Sequence, residues 1–392
     1  MKTREDRIEY GGCMIGDEEV NAIVKSIEGQ GRRRWTIGPD SLAFEGELAQ
    51  KMGVKYAVLV NSGSSALLAG TLGLKLPKGS KVIIPSLTFP TAYSSLLQAG
   101  LIPVVIDCDL STLNISYDEV TRALQEHPDI KAVVAISIAG NTVDLPRLRS
   151  IVGDRKIIFD NCDGAGATIN GKPAETYADV SAISMHAAHI ISMGEGGAVL
   201  TNDKNTADVA RKIREWGRAS GSDDLVKHKD FPADYRERYV FDEIGYNLKP
   251  LDLQSAMGRV QLRRLDDFKK SRGEVHKKLD KVFKKYDFVT PIQEDAGEGN
   301  CWFAYAFHCV GMPRAIIMDF MEKMNIETRT VFSGNILRHP AYKNELHIQI
   351  GDLKNCNYVM ENTMFIGSPP FYTDEQIDYI DQVMNELYEQ SK

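Results

Sequence analysis

Apolar residues in the first half of the chain fall in short, nearly unbroken runs rather than in strict alternation with polar ones. Runs at 56–60, 81–84, 103–107, 132–138, 156–160 and 182–184 read as strands buried on both faces, with helical stretches between them. Strand and helix alternating at this spacing predict a mainly parallel sheet covered by helices, an α/β architecture. After residue 250 the pattern changes. Residues 251–286 hold no proline and are rich in Leu, Lys, Arg and Asp, which predicts one long helix or two abutting ones leading out of the sheet. A strand at 300–310, a helix at 313–324 and an amphipathic helix at 373–388 then make up a smaller α+β unit. The predicted division is a large domain over 1–250 and a small one over 251–392, with the polar stretch 219–230 as a loop.

Composition narrows the function classes. At 392 residues, with 43% hydrophobic and 26% charged residues, the chain has the make-up of an ordinary globular protein of about two domains. A net charge of −7 argues against a nucleic-acid coat or a polybasic membrane surface. The opening MKTREDRIEY is charged with no apolar stretch behind it, and no apolar run approaches the roughly eighteen residues of a membrane span. The expectation is a soluble, cytoplasmic protein. Its six cysteines form no C-x-x-C pair, which fits a reducing compartment and no disulfide framework.

Ligands of parallel sheets sit at the carboxyl ends of the strands, and four strand-end segments carry candidate chemistry. Asn61-Ser62-Gly63-Ser64-Ser65-Ala66 exposes backbone N–H groups ahead of a helix, as a phosphate loop does, or is simply a capped helix start. Asp160, in Phe159-Asp160-Asn161-Cys162-Asp163, either pairs with a protonated ring nitrogen or caps the next helix. Phe89, in Pro85-Ser86-Leu87-Thr88-Phe89-Pro90, either stacks on a planar ligand or packs in the core. The fourth segment, Ser184-Met185-His186-Ala187-Ala188-His189, runs on to Gly194-Glu195-Gly196-Gly197. Its two histidines at i and i+3 could meet a metal on one helical face, but no acidic or cysteine partner is evident nearby, so no metal is assigned.

Taken together and in this order, the four segments resemble the DegT/DnrJ/EryC1/StrS sugar-aminotransferase family of fold type I pyridoxal-phosphate (PLP) enzymes. The resemblance spans nearly the whole chain, from Trp35-Thr36-Ile37-Gly38-Pro39 and Phe44-Glu45 through Gly245-Tyr246-Asn247 to Arg329 and Ser333-Gly334-Asn335. It implies a mainly parallel, seven-stranded type of sheet and a homodimer. It also implies roles: Gly63, Ser64 and Ser184 on the cofactor phosphate, with Asn247 reaching it from the partner subunit. Phe89 would stack on the pyridine ring and Asp160 would keep the ring nitrogen protonated, making the ring an electron sink. Asp163 stands where many relatives have Gln or Glu and belongs to the same cofactor set. Arg329 and Asn335 would meet the substrate or its amino donor.

One position departs from the aminotransferases. Where they carry the lysine that holds the cofactor covalently, this chain has His189, and no lysine occurs between Lys172 and Lys204. An imidazole cannot form that bond but can serve as acid and base near neutral pH. The swap resembles the 3-dehydratase branch of the family, which removes the C3 hydroxyl of nucleotide-linked 4-keto-6-deoxyhexoses on the way to 3,6-dideoxysugars such as those of lipopolysaccharide O-antigens. The segments AAHIISMGEGGAV, GYNLKPLDLQSA, CWFAYAF and TRTVFSGN carry this likeness. One version of that branch works with an iron–sulfur cluster and a reductase; such a cluster needs four thiolates or close substitutes. Residues 163–300 hold no cysteine, which favours the other version, in which glutamate regenerates pyridoxamine phosphate (PMP) and no reductant is used. A cluster-dependent CDP-4-keto-6-deoxyglucose 3-dehydrase type, a sugar 4-aminotransferase with an engineered Lys-to-His change, and a non-catalytic cofactor-binding protein are the alternatives.

Overall fold

The apolar runs become strands close to where the pattern places them. The structure, a computed structural model, describes residues 3–29, 35–219, 225, 227, 229–297 and 299–392, so most of the loop expected at 219–230 lies outside the described residues. The strands of the first half are β1 (Tyr56–Val60), β2 (Lys81–Pro85), β3 (Ile102–Ile106), β4 (Ala132–Ile136), β5 (Lys156–Asp160), the hairpin β6 (Thr168–Ile169) and β7 (Lys172–Pro173), β8 (Val180–Ser184) and β9 (Gly197–Thr201). Those of the second half are β10 (Val289–Pro291), β11 (Ala304–Cys309), β12 (Thr328–Thr330), β13 (Ile348–Gln349) and β14 (Thr363–Gly367). The large sheet has the order β1-β9-β8-β5-β4-β2-β3-β13. Every residue of β4, β8 and β9 is buried, as expected of strands covered on both faces.

The direction of the strands positions the site. β2, β3, β4, β5 and β8 run parallel, while β9 runs antiparallel to both β8 and β1. The carboxyl ends of β1, β2, β4, β5 and β8 therefore share one edge, the edge at which β9 begins. The sheet has eight strands rather than seven. The extra one, β13, comes from the C-terminal part of the chain and pairs with β3 through two residues, too short a run to leave a period in the sequence.

The second sheet, β10-β11-β14-β12, is antiparallel. It shares a core with the helices Leu265–Phe283, Arg314–Lys323 and Asp374–Ser391, built from Phe283, Tyr305, Phe307, Ile366 and Ile380. The stretch 251–286 is two helices, Asp252–Arg263 and Leu265–Phe283, meeting at Arg264. The terminal helix starts at a capping box between Thr373 and Gln376. Ile8, far away in sequence, is buried in this second core and bridges to Ile326, so the N-terminal segment crosses onto the C-terminal unit. Among the described residues no helix is long and apolar enough to cross a membrane.

Candidate active site

The shared strand edge opens into a cavity of about 410 Å³. Eight of the residues singled out from the sequence line it: Gly63, Ser64, Phe89, Asp160, Asp163, Ser184, His189 and Arg329. They come from the ends of β1, β2, β5, β8 and β12, and the fold alone brings them together.

At the end of β1 the chain turns into the helix Gly63–Gly73. Ser62 caps it in an extended conformation, its Oγ accepting the Ser65 N–H at 3.1 Å. A Cβ at Gly63 would stand 2.7 Å from the Ser184 Cβ and 2.8 Å from the Cys162 Sγ, so only glycine lets this turn lie against the ends of β5 and β8. Gly197 does the same from β9, where a Cβ would come within 2.4 Å of the Ser62 carbonyl. The result is a close-packed cradle of Ser62, Gly63, Ser64 and Ser184 at a helix N-terminus, where N–H groups and the helix dipole favour a phosphate. The capped helix start and the loop expected to hold a phosphate occupy the same turn, so the two readings do not exclude each other.

Asp160 ends β5 on the cavity floor, 4% exposed, and accepts the Cys162 N–H at 3.2 Å. Burial pushes its carboxyl above the usual range; a protonated ring nitrogen is the partner that reverses such a shift. Phe89, 49% exposed, meets Phe332 edge to face at 6.0 Å and leaves its ring available at the cavity. Phosphate cradle, open aromatic face and buried carboxylate fit the pyridoxal cofactor that the resemblance implies.

The segment between β8 and β9 is a compact loop rather than a helix, so the two histidines do not share a helical face. It is closed by the Met193 N–H on the Met185 carbonyl at 2.8 Å and anchored by buried Ile190 and Ile191. The rings of His186 and His189 meet edge to face at 5.6 Å. His189 Nε2 lies 3.7 Å from Asp163 Oδ1, its ring packs edge to face on Phe303 at 5.4 Å, and its buried Nδ1 has no hydrogen-bond partner. Burial above all, then His186 and Arg272, pull the imidazole down to about 3, leaving it neutral and able to accept a proton at physiological pH. Burial and the neighbouring Asp160 push Asp163 up to about 8. A neutral carboxyl beside a neutral imidazole explains why the closeness of Asp163 does not raise His189.

Two of the expected residues do not line the cavity: Asn335, and Asn247, which the resemblance assigns to the partner subunit's site. Asn335 is engaged within the fold: its Oδ1 accepts from Ser86 Oγ at 2.8 Å and from the Leu337 N–H at 3.0 Å, and its Nδ2 donates to Asn357 at 2.9 Å. Buried and fully engaged, it caps the short turn Ile336–Arg338 and ties it to the end of β2. Asn247 is exposed, holds the Lys249 ammonium at 2.7 Å, and does not line the cavity of its own chain.

The cavity also contains residues that the sequence did not single out. Thr91 takes a 2.8 Å hydrogen bond from Ser64 Oγ, and its place two residues after Phe89 was a usable signal. Tyr10 comes from the N-terminal crossing and covers Arg329, whose guanidinium lies 4.5 Å from the ring centroid and pairs with Glu327. Phe303, Phe332 and Phe365 form an apolar wall on the small-domain side.

A phosphate cradle, a buried aspartate and an open aromatic face along one edge of such a sheet define a fold type I PLP transferase. The chain belongs to the DegT/DnrJ/EryC1/StrS aminotransferase family, which it matches over residues 14–386. It is 31% identical to the dTDP-4-dehydro-2,6-dideoxy-D-glucose 3-dehydratase of Saccharopolyspora spinosa, over 97% of this chain and 86% of that one. It is 29% identical to the GDP-4-keto-6-deoxy-D-mannose 3-dehydratase of Escherichia coli O55:H7, over 94% of this chain and 97% of that one. Among solved structures, it matches an E. coli GDP-4-keto-6-deoxy-D-mannose-3-dehydratase with bound hydrated PLP at a TM-score of 0.89 and 27% identity, over 97% of this chain and 100% of that one. A GDP-4-keto-6-deoxymannose-3-dehydratase with a trapped PLP-glutamate geminal diamine matches at a TM-score of 0.86 and 26% identity, over 96% of this chain and 99% of that one.

Proposed function

We propose that this protein is a cytoplasmic, PMP/PLP-dependent 3-dehydratase that removes the C3 hydroxyl of a nucleotide-linked 4-keto-6-deoxyhexose, with glutamate as amino donor. The observation that carries the reading is His189. It stands in the cavity at the position of the family's lysine, and no lysine is among the described residues lining that cavity. Relatives named for the same deoxygenation, and a neighbour trapped with glutamate on PLP, support it.

When bound, the cofactor supplies an electron sink through which the C3–O bond of the sugar can break. Gly63, Ser64 and Ser184 hold its phosphate, Phe89 supports the ring and Asp160 keeps the ring nitrogen charged. His189, buried and neutral, would take the proton from the cofactor's exocyclic carbon and give it to the hydroxide leaving C3. Arg329, the guanidinium on the cavity wall, takes an anionic group of the donor or the substrate. Overall, glutamate and the sugar give 2-oxoglutarate, ammonia and the 3-deoxy-4-keto sugar, with no outside electrons. The absence of cysteine from residues 163–300 supports this balance. Incubation with PMP, glutamate and CDP-, GDP- or dTDP-4-keto-6-deoxyhexoses should give a 3-deoxy product from one of them, and the anaerobically purified protein should hold no stoichiometric iron. A 4-amino sugar product, or two irons per chain, would overturn the reading.

The active unit in this proposal is a homodimer in which Asn247 completes the phosphate cradle of the partner. Asn247 is set among exposed apolar side chains, Trp216, Phe241, Tyr246, Leu251 and Ile244, the last 85% exposed, a patch that a second copy would cover. Sedimentation should show a dimer, and Asn247→Ala should weaken PLP binding without dissociating it. A fully active monomer would contradict this.

A further inference from the structure

One charged side chain next to the site has no part in the mechanism so far. Arg272 lies in the helix Leu265–Phe283 within Leu-Asp-Asp-Phe-Lys-Lys-Ser-Arg-Gly-Glu, a run that reads as a solvated helix face, yet it is 1% exposed. Among the described residues no carboxylate pairs with it. Its guanidinium instead donates to four main-chain carbonyls: Nη1 to those of Trp302, Phe303 and Ser368 at 3.2, 3.4 and 3.3 Å, and Nη2 to that of His189 at 3.3 Å. Ser368 Oγ in turn donates to the Arg272 carbonyl at 3.2 Å. A buried guanidinium is costly unless its donors are taken up; here Nη1 and Nη2 are taken up by the active-site loop and by the segments leading into β11 and out of β14, while Nε has no partner among the described residues.

We propose that Arg272 is the positioning residue for His189: its planar fork fastens the carbonyl of the catalytic residue to the segments that lead into β11 and out of β14. This rests on the 3-dehydratase reading for the reaction, but not for the geometry. The fork suits the task, since one rigid group reaches carbonyls on three chain segments, which a lysine ammonium cannot reproduce. The other surroundings of His189 are set by different elements: Asp163, Asp160 and Cys162 at the end of β5, His186 and Glu195 on its own loop, and the uncharged Phe303 ring. Cys301 faces the guanidinium, and so does Asp163, the carboxyl that also lies beside the imidazole. Arg272 is the permanent cation in this set, and a cation disfavours the imidazolium. Removing it makes His189 easier to protonate, so activity is lost at a higher pH on the acidic side.

The test measures kcat, KM and the acidic limb of the kcat profile for the holoenzyme and two variants. Arg272→Lys keeps the charge and loses the fork: kcat should fall about tenfold or more, as a shift of the base by a fraction of an ångström implies, with the limb unmoved. Arg272→Met loses both, and its limb should move toward higher pH besides the fall in kcat. If Arg272→Met does not accumulate as folded protein, Arg272→Lys decides. Variants that are less stable to heat but keep wild-type kcat per cofactor-loaded site would reduce Arg272 to a packing residue and overturn the proposal, as would an Arg272→Met limb at the wild-type position. The same variants are followed in the glutamate-driven conversion of bound PLP to PMP, which also needs a base. If the wild type deoxygenates no sugar, the functional reading fails, while this half-reaction still decides the role of Arg272.

Discussion

His189→Asn should fold, bind cofactor and form almost no 3-deoxy sugar. Asparagine fills nearly the same space and can hydrogen-bond, but it cannot accept a proton. Loss of a general base costs about 10²–10⁴-fold in rate, and a group that first takes the proton and then delivers it to the leaving hydroxide belongs near the upper end. The buried position supports this role. Burial above all, then His186 and Arg272, hold the imidazole below its usual range, so it is unprotonated across the physiological range. His189→Lys should act in the opposite sense. An amine at this position can bond the cofactor covalently, so borohydride should trap a mass gain on the peptide containing residue 189, and the sugar product should shift toward the 4-amino compound. An Asn variant with undiminished deoxygenation would move the base elsewhere, with His186, whose ring is 5.6 Å away, the first group to test.

Asp160→Asn should be the next most damaging change, with a loss of about 10²–10³-fold, the usual effect of removing one preorganised electrostatic contact from a dry site. The carboxylate and the amide are nearly isosteric, and the Cys162 N–H can still be accepted by the amide oxygen, so the fold should survive. What is lost is the negative charge that keeps the ring nitrogen protonated. Both half-reactions, sugar deoxygenation and glutamate-driven amination, should slow together, because both draw on the same electron sink. Single-turnover absorbance measurements on the two half-reactions check this. Slowing of only one half-reaction would place Asp160 in a substrate contact instead.

Much of this site is legible in the sequence because its residues follow strand ends. Apolar runs announce strands, strands in parallel order announce one ligand-binding edge, and Gly63, Asp160 and Ser184 stand at that edge by counting alone. The strand Gly197–Thr201 leaves little trace in the sequence, because its apolar part is short and it opens on a glycine. Asn335 shows a related limit: its place next to Ser333-Gly334 identifies a motif, whereas its partners Ser86 and Asn357 are fixed only by the fold. Tyr10 and Arg272 were invisible in different ways. Tyr10 reaches the cavity only because the segment around Ile8 crosses to the C-terminal unit. Arg272 sits in a run of charges that periodicity assigns to solvent, and its burial is a tertiary effect that helix pattern cannot reveal.

The central claim is that His189 drives a reductant-free elimination in which the amino group itself leaves. Its most direct test is the ratio of ammonia released to sugar deoxygenated, measured with glutamate present and without NADH or any reductase. The account predicts one ammonia and one 2-oxoglutarate for each 3-deoxy sugar formed. Turnover that requires NADH and a reductase, with no ammonia released, would contradict it.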